Sequence, residues 1–493
     1  MFGKLLARSP GSGETHAMQP DNLEEALRQL RADPGDVSLA ATIIDLSVAA
    51  KDGPAADAAV GAMRRALEAK STVAPEEHYM MGTALNATAR LAATDLSPEW
   101  ADDTRCLRTE ARTHLFRAAE SLEPTLRAMA WTNLGHSLSS CARRTEAFEC
   151  YVNAYLDGDG HPVGSGWMAV TLHDYDKLLD GGPPQNVITA HHLAKVTAKQ
   201  IERVAEVAGG QVANKFLDLP TDLATEYRAQ PPEDKKSYEW FIRTNRLHLA
   251  LVVEGVAVGE WDHATLFPLE ESGGSLTKGP PMIVAMSNII KADYLLARRL
   301  AHEAFTDRRE DAAGYSDTKD GARYGEEFAA HRLALRAAID CLDRVASAAN
   351  DYWQFGINPK YVKFNTVFRQ SSQELWPPVH HQYREGNWAL VALVDLADDM
   401  NAPESWIADN KTWRNLATHR FLRAVPGLSN PDLGPVTDLS LEDFERATLQ
   451  SLTLAKSAYL ALLEAVRYSS ALERFESKGP GITWGSIRNN DEQ

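Results

Sequence analysis

Cysteine is scarce. The 493 residues hold four, Cys106, Cys141, Cys150 and Cys341, with no C-x-x-C pair and no histidine at metal-ligand spacing from any of them. A disulfide-built scaffold and a zinc ribbon are excluded; reduced thiols packed in helices of a cytoplasmic protein are expected. Long apolar runs are missing too. The longest, Leu247 to Val258, is broken by Glu254 and Gly255, well short of the roughly 20 residues a membrane span needs. The apolar patch of Met1 to Ala7 stops at Arg8, Ser9 and Pro10 and does not read as a secretory leader, so no membrane partner is expected. Val, Ile and Thr seldom alternate with polar residues, while Ala, Leu, Glu and Arg dominate, so the fold class is predicted to be all-α. Positive charge is also in deficit: the formal net charge is −17. That excludes a broad basic surface for duplex DNA and leaves room only for a small basic cleft.

Several catalytic signatures are absent. There is no P-loop, no G-x-G-x-x-G after a strand, no G-x-S-x-G and no H-E-x-x-H; His302-Glu303 is followed by Ala, Phe and Thr. The pairs His191-His192 and His380-His381 are adjacent in sequence, and adjacent side chains on a helix point about 100° apart, which suits no shared ion. No metal and no cofactor is expected.

What is present is helical periodicity. Residues 1–20, rich in Gly, Ser and Pro, read as a flexible tail. Asp21 with Glu24 resembles a helix start, followed by Leu23, Ala26, Leu27 and Leu30 at helical spacing. Trp131-Thr132-Asn133-Leu134-Gly135, with Leu138, Ala147, Tyr151 and Ala154, fits one TPR unit. Gly135 and Ala147 are the small residues that let its two helices approach closely. Asp159 stands near the usual proline, and Pro162 comes late. Two weaker copies precede this unit: Met81-Gly82 with Leu85 resembles a first helix, and Phe116, Ala119 and Pro124 resemble the end of a second, with an insertion around 91–108. A TPR-like repeat region over 21–230 follows, suited to a protein partner on its concave face or to a purely structural stack. Gln230-Pro231-Pro232 marks a boundary, and 259–281 reads as a loop. A second helical domain is expected over 238–476. It has helices from Met282 to Leu300, from Gly325 to Trp353 with Leu333, Ala337, Leu342, Val345 and Ala349 as the buried face, and from Leu441 to Tyr468 with Ser440 as N-cap and Asp443 three residues on. A tail of 477–493 closes the chain.

One segment concentrates the chemistry. Lys411 to Arg423 places four basic side chains and His419 within thirteen residues of an acidic protein. Read as a helix, it turns Trp413, Leu416, Ala417 and Phe421 to the core. Asn415 and His419 lie about 40° apart, with Arg414 about 140° from His419. These residue types suit metal-free cleavage of an RNA phosphodiester. Histidine moves a proton near neutral pH. Arginine grips and neutralises a phosphate, asparagine orients the ring or holds an oxygen, and the RNA 2′-OH is itself the nucleophile. Lys411, Arg420 and Arg423 complete an RNA-binding set. The plainer alternative is a solvated basic helix face with a structural histidine.

With Arg414, Asn415 and His419 spaced R-N-x3-H, the segment resembles the HEPN superfamily, whose mark is R-x4-6-H with a polar residue after the arginine. The branch it resembles most is the bacterial one in which a TPR-like region precedes the HEPN domain. Leu342 to Ala346, Asn350 to Ile357, Lys360 to Phe364, Val367-Phe368 and Asn387 to Asp399 carry the resemblance further, as do Tyr238 to Leu251 and Ala285 to Glu303. The chain has Thr418 where the family often has an acidic residue before the histidine. The resemblance implies a helical bundle, a homodimer through the HEPN domain with paired motifs, metal-independent endoribonuclease activity with catalytic Arg414, Asn415 and His419, and a role in toxin or anti-phage defence. The competing expectations are a non-catalytic RNA- or protein-binding regulatory scaffold and a small-molecule or nucleotide sensor.

Overall fold

A computed structural model describes residues 23–33, 35–92, 97–121, 123–157, 160–178, 184–221, 234–252, 262, 264, 282–306, 325–407, 421–425 and 436–477. The described residues are almost wholly helical, with one two-stranded parallel sheet. The expected tails and most of the expected 259–281 loop lie outside them. No helix among them is long and apolar enough to cross a membrane. The chain divides into two compact units, Met1–Asp262 with Asp395–Asn415, and His263–Val394 with Leu416–Gln493. Residues 395–407 group with the first unit.

The first unit is a succession of helices: α1 (Leu23–Ala32), α2 (Val37–Ala50), α3 (Gly53–Glu68), α4 (Pro75–Leu91), α5 (Pro98–Asp103), α6 (Arg105–Ala118), α7 (Pro124–Ser139), α8 (Arg144–Asp157), α9 (Pro162–Leu178), α10 (Pro184–Ala198), α11 (Ile201–Ala208), α12 (Gly210–Leu217) and α13 (Tyr238–Thr244). Starts are set by side-chain caps, Asp36 to Leu39 N at 2.9 Å and Asp52 to Ala55 N at 3.0 Å, each worth about 1 kcal/mol. Consecutive helices pack as hairpins: α2 on α3, α7 on α8, α9 on α10. The pair expected from Met81-Gly82 and Phe116 is α4 on α6, and the insertion between them holds α5.

Two glycines decide how closely these hairpins close. A Cβ on Gly135 of α7 would sit 2.5 Å from Tyr151 Cε1 of α8, and one on Gly82 of α4 would sit 2.7 Å from Leu115 Cγ of α6. The W-x-x-L-G pattern therefore marks a steric requirement. Two apolar cores run through the stack, one on Ile43, Met63, Met81 and Leu85, the other on Leu115, Leu134, Phe148, Tyr151 and Leu172.

In the second unit, α14 (Met282–Thr306), α15 (Glu326–Tyr352) and α18 (Leu441–Ser477) pack pairwise around Tyr294, Leu335, Leu342, Phe444 and Tyr459. The helices α16 (Pro377–Arg384) and α17 (Trp388–Asn401) and the strands β1 (Phe421–Val425) and β2 (Val436–Ser440) complete the elements, α17 running on into the first unit at Asp395. Ser440 caps α18 as expected: Asp443 N donates to Ser440 Oγ at 3.0 Å, and Ser440 Oγ donates to Asp443 Oδ2 at 2.7 Å. One expected core residue is misplaced. Leu333 is 54% exposed, because it lies nine residues from Leu342, half a turn around the axis. The buried face of α15 runs instead through His331, Ala334, Leu335, Ala338, Leu342, Val345 and Ala349.

Candidate functional site

Lys411, Arg414, Asn415, His419 and Arg420 lie outside the described residues, so the structure neither brings them together nor separates them. Arg423 is described, and the segment does not continue to it as a helix. Phe421, expected on the core face of a helix, opens strand β1, which pairs in parallel with β2 so that Arg423 stands opposite Asp438. The Arg423 Nε and Nη2 donate to the two carboxylate oxygens of Asp438, both at 2.7 Å. This fork closes the guanidinium's bidentate face. The helical expectation failed here because alternation in Phe421-Leu422-Arg423-Ala424-Val425 is too short to distinguish a strand from a helix end.

The chain enters the signature stretch from a fixed anchor. After α17, Thr113 Oγ1 donates to Glu404 O at 3.1 Å, Trp406 Nε1 donates to Asp399 Oδ2 at 3.1 Å, and Ile407 is fully buried. These contacts hang on an ionic cluster in the first unit. Arg108 Nη1 lies 2.6 Å from Asp395 Oδ1. Arg112 reaches Asp395 at 3.0 Å and Asp399 at 2.6 Å, and Arg143 reaches Asp395 at 3.1 Å and Asp399 at 2.5 Å while also pairing with Glu146. Thr109 Oγ1 adds a hydrogen bond to Asp399 at 2.7 Å. Three arginines meet three carboxylates, every one of these charged side chains at most 5% exposed.

Burial alone would raise both aspartates. The guanidiniums of Arg108, Arg112 and Arg143 overcome it at Asp395, and those of Arg112 and Arg143 at Asp399, so both carboxyls are held below the ordinary range. Burial pulls Arg108 down, yet Asp395 and its neighbours leave it raised, and the Cys141 thiol beside it is pushed by burial up to about 11. The set is charge-neutral, so it fixes geometry and adds no net field to draw in a polyanion. Sequence reasoning missed it. The available signal was a pair of aspartates four apart, Asp395 and Asp399, on an otherwise apolar helix, and a pair of arginines four apart, Arg108 and Arg112, on another.

The stretches that carried the resemblance have structural duties in the second unit. Asp343 Oδ1 accepts from Phe364 N at 3.0 Å. Asn350 exchanges two hydrogen bonds with the Ile357 backbone, both at 3.0 Å. Fully buried Asn387 donates to Gln382 Oε1 at 2.8 Å, Ala465 O at 3.0 Å and Ser469 Oγ at 3.1 Å, and accepts from Leu390 N at 3.2 Å. Trp353 Nε1 donates to the same Ser469 Oγ at 3.2 Å. Asn387 is thus the polar node that ties the start of α17 to α18.

Residues 275–469 match the family model described as LA2681-like HEPN. Over these residues the chain is similar to HEPN domains. The chain has no match among curated proteins. The match takes in α14, α15, α18 and the Asn387 node of the second unit. It also takes in residues 395–407, which pack in the first, and the full Arg414, Asn415, His419 set.

Proposed function

We propose that the protein is a metal-independent endoribonuclease. The observation that supports this reading is an intact Arg414-Asn415-x3-His419 set inside the HEPN match. In the proposed reaction His419 takes the proton of an RNA 2′-OH, the 2′ oxygen attacks the adjacent phosphorus, and the 5′ oxygen leaves with a proton from a second acid. The ends are a 2′,3′-cyclic phosphate and a 5′-OH. Arg414 stabilises the charge growing on the phosphate, and Asn415 orients the imidazole or holds an oxygen. Lys411 and Arg420 hold flanking phosphates. Arg423, first grouped with them, is engaged by Asp438 and is assigned to the strand pair instead.

A homodimer through the HEPN domain supplies the second acid, by facing one His419 with another across a two-fold axis. An exposed stripe supports self-association: Met282, Ile289 and Leu296, 51–65% exposed, recur every seven residues along α14, the repeat that a helix seam uses. The repeat region is assigned to regulation or to a protein partner, in a toxin or defence setting.

The test is cleavage of mixed RNA in EDTA, with the new ends sequenced. Cyclic or 3′-phosphate and 5′-OH ends are expected, with RNA carrying a 2′-deoxy at the cut site resistant. His419→Ala and Arg414→Ala are each expected to reduce cleavage by about a hundredfold or more without unfolding the chain. Efficient cutting of the 2′-deoxy substrate would rule out the 2′-OH mechanism. A folded wild-type chain that binds RNA and never cuts it would favour the non-catalytic scaffold.

A further inference from the structure

One cavity is lined wholly by residues of the first unit. It is an open-mouthed pocket of about 250 Å³, and its lining includes Tyr79, Asn133, His136, His161, Trp167 and Val212. His161, just before α9, is 4% exposed, and among the described residues neither Nδ1 nor Nε2 has a hydrogen-bond partner. Buried polar groups are almost always satisfied, so a cavity-lining imidazole with both nitrogens unmet points to atoms supplied from outside the chain. Burial, then the charge of Arg203, lowers its pKa; the neutral ring offers one donor and one acceptor.

Its neighbours are prepared in the same sense. Asn133 Nδ2 donates to Tyr79 Oη at 3.1 Å and to Thr83 Oγ1 at 3.2 Å, which uses both amide hydrogens and leaves the amide oxygen to accept. His136 meets the Tyr151 hydroxyl through Nδ1 at 3.0 Å. Burial, then Arg90 and Lys215, brings its pKa to about 4, so it too is neutral. Trp167 supplies a flat apolar wall, with Lys215 Nζ 4.9 Å from its ring centroid. Asp45 acts on Tyr79, whereas the charges acting on the two histidines are all positive. The volume is just under the roughly 300–1,000 Å³ of drug-sized sites. That fits one ring system with its attached sugar and leaves too little room for a peptide segment.

We propose that this cavity binds a nucleoside phosphate: the base lies against Trp167 with its polar edge on Asn133 and His136, the sugar–phosphate meets His161, and Arg203 and Lys215 supply the opposing charge. The nucleotide is either free or the phosphorylated end of an RNA.

Calorimetric titration of the full chain distinguishes these sources. The probes are AMP, GMP, CMP and UMP, the matching nucleosides, inorganic phosphate, and a 2′-O-methyl trinucleotide with a terminal phosphate that resists 2′-OH attack. At least one mononucleotide is expected to saturate one site per chain and to bind more tightly than its nucleoside. His161→Ala should weaken it about tenfold, the worth of one hydrogen bond, Lys215→Ala severalfold, and His419→Ala not at all. Saturation by the trinucleotide alone, with the same dependence on His161, would identify an RNA end as the source and sustain the proposal. Should His161→Ala fail to fold by circular dichroism, the exposed Lys215→Ala decides. The proposal is overturned by saturation with none of the nucleotides or the trinucleotide, by binding of inorganic phosphate alone, or by binding indifferent to the folded variants. Loss of RNA cleavage in His419→Ala with nucleotide binding intact separates this site from the proposed ribonuclease centre.

Discussion

At Asp399 four donors converge: Thr109, Arg112, Arg143 and Trp406. A buried ion cluster of this kind adds little over an apolar core of equal volume, but removing one partner leaves uncompensated charge behind. Asp399→Asn keeps the shape and removes one negative charge against three buried guanidiniums. It should lower stability by about 3–5 kcal/mol, read from urea unfolding; a change below 1 kcal/mol would show that the cluster is not coupled as drawn. The pH dependence follows from the same groups. Both aspartates are held below the ordinary carboxylate range when folded, against about 3.9 in an unfolded chain. Such groups bind more protons in the unfolded state as pH falls, so their stabilisation is complete above about pH 4 and is lost as the pH drops through the folded values. The melting temperature should decline below about pH 4, and the decline should be shallower in Asp395→Asn/Asp399→Asn.

Among elements, α14 presents the clearest unsolved surface. Ile290, Tyr294, Ala297 and Ala301 are buried, while Met282, Ile289 and Leu296 are exposed, so the helix carries two apolar faces where one suffices for its own unit. Leu296→Asp is expected to convert a dimer to a monomer in light scattering with the helical circular dichroism unchanged. A dimer that survives it, or a monomeric wild type, would remove the stripe from the assembly. Strand β1 shows a different lesson. It follows the signature stretch directly, and its parallel partner β2 runs into the Ser440 cap of α18, so Arg423 is held by its opposite neighbour in the ladder.

For the whole molecule, the consequential fact is that residues 395–407 belong to the first unit while the HEPN match spans 275–469. A fragment of residues 238–493 loses Arg108, Arg112 and Arg143 and keeps both aspartates. It should melt below the full chain in scanning calorimetry, and Asp395→Leu/Asp399→Leu in the fragment should recover part of the difference. A fragment as stable as the full chain would mean that these contacts contribute nothing. The helices that carry Arg108, Arg112 and Arg143 thus hold Asp395 and Asp399, which lie inside the matched residues.

Helical content, the hairpin signature at Trp131–Tyr151, the Ser440 cap and the HEPN resemblance were legible in the sequence because each rests on local spacing: a period of 3.6 residues, a glycine beneath a ring, a hydroxyl three residues before an amide. Gly135 is the clearest case, since the small residue in the pattern is the one that faces Tyr151. The exposed side of Leu333 was misjudged because the apolar residues of α15 lie on more than one face, and only the packing of α14 and α18 selects between them. Phe421 was taken for helix because five residues carry too little period to outweigh what precedes them. The Arg108–Asp395 contact joins residues 287 apart, and the His161 cavity gathers side chains from α4, α7, α9, α11 and α12. No local pattern encodes such meetings; the stacking of the helices alone decided which charges were buried together and which side chains line the cavity.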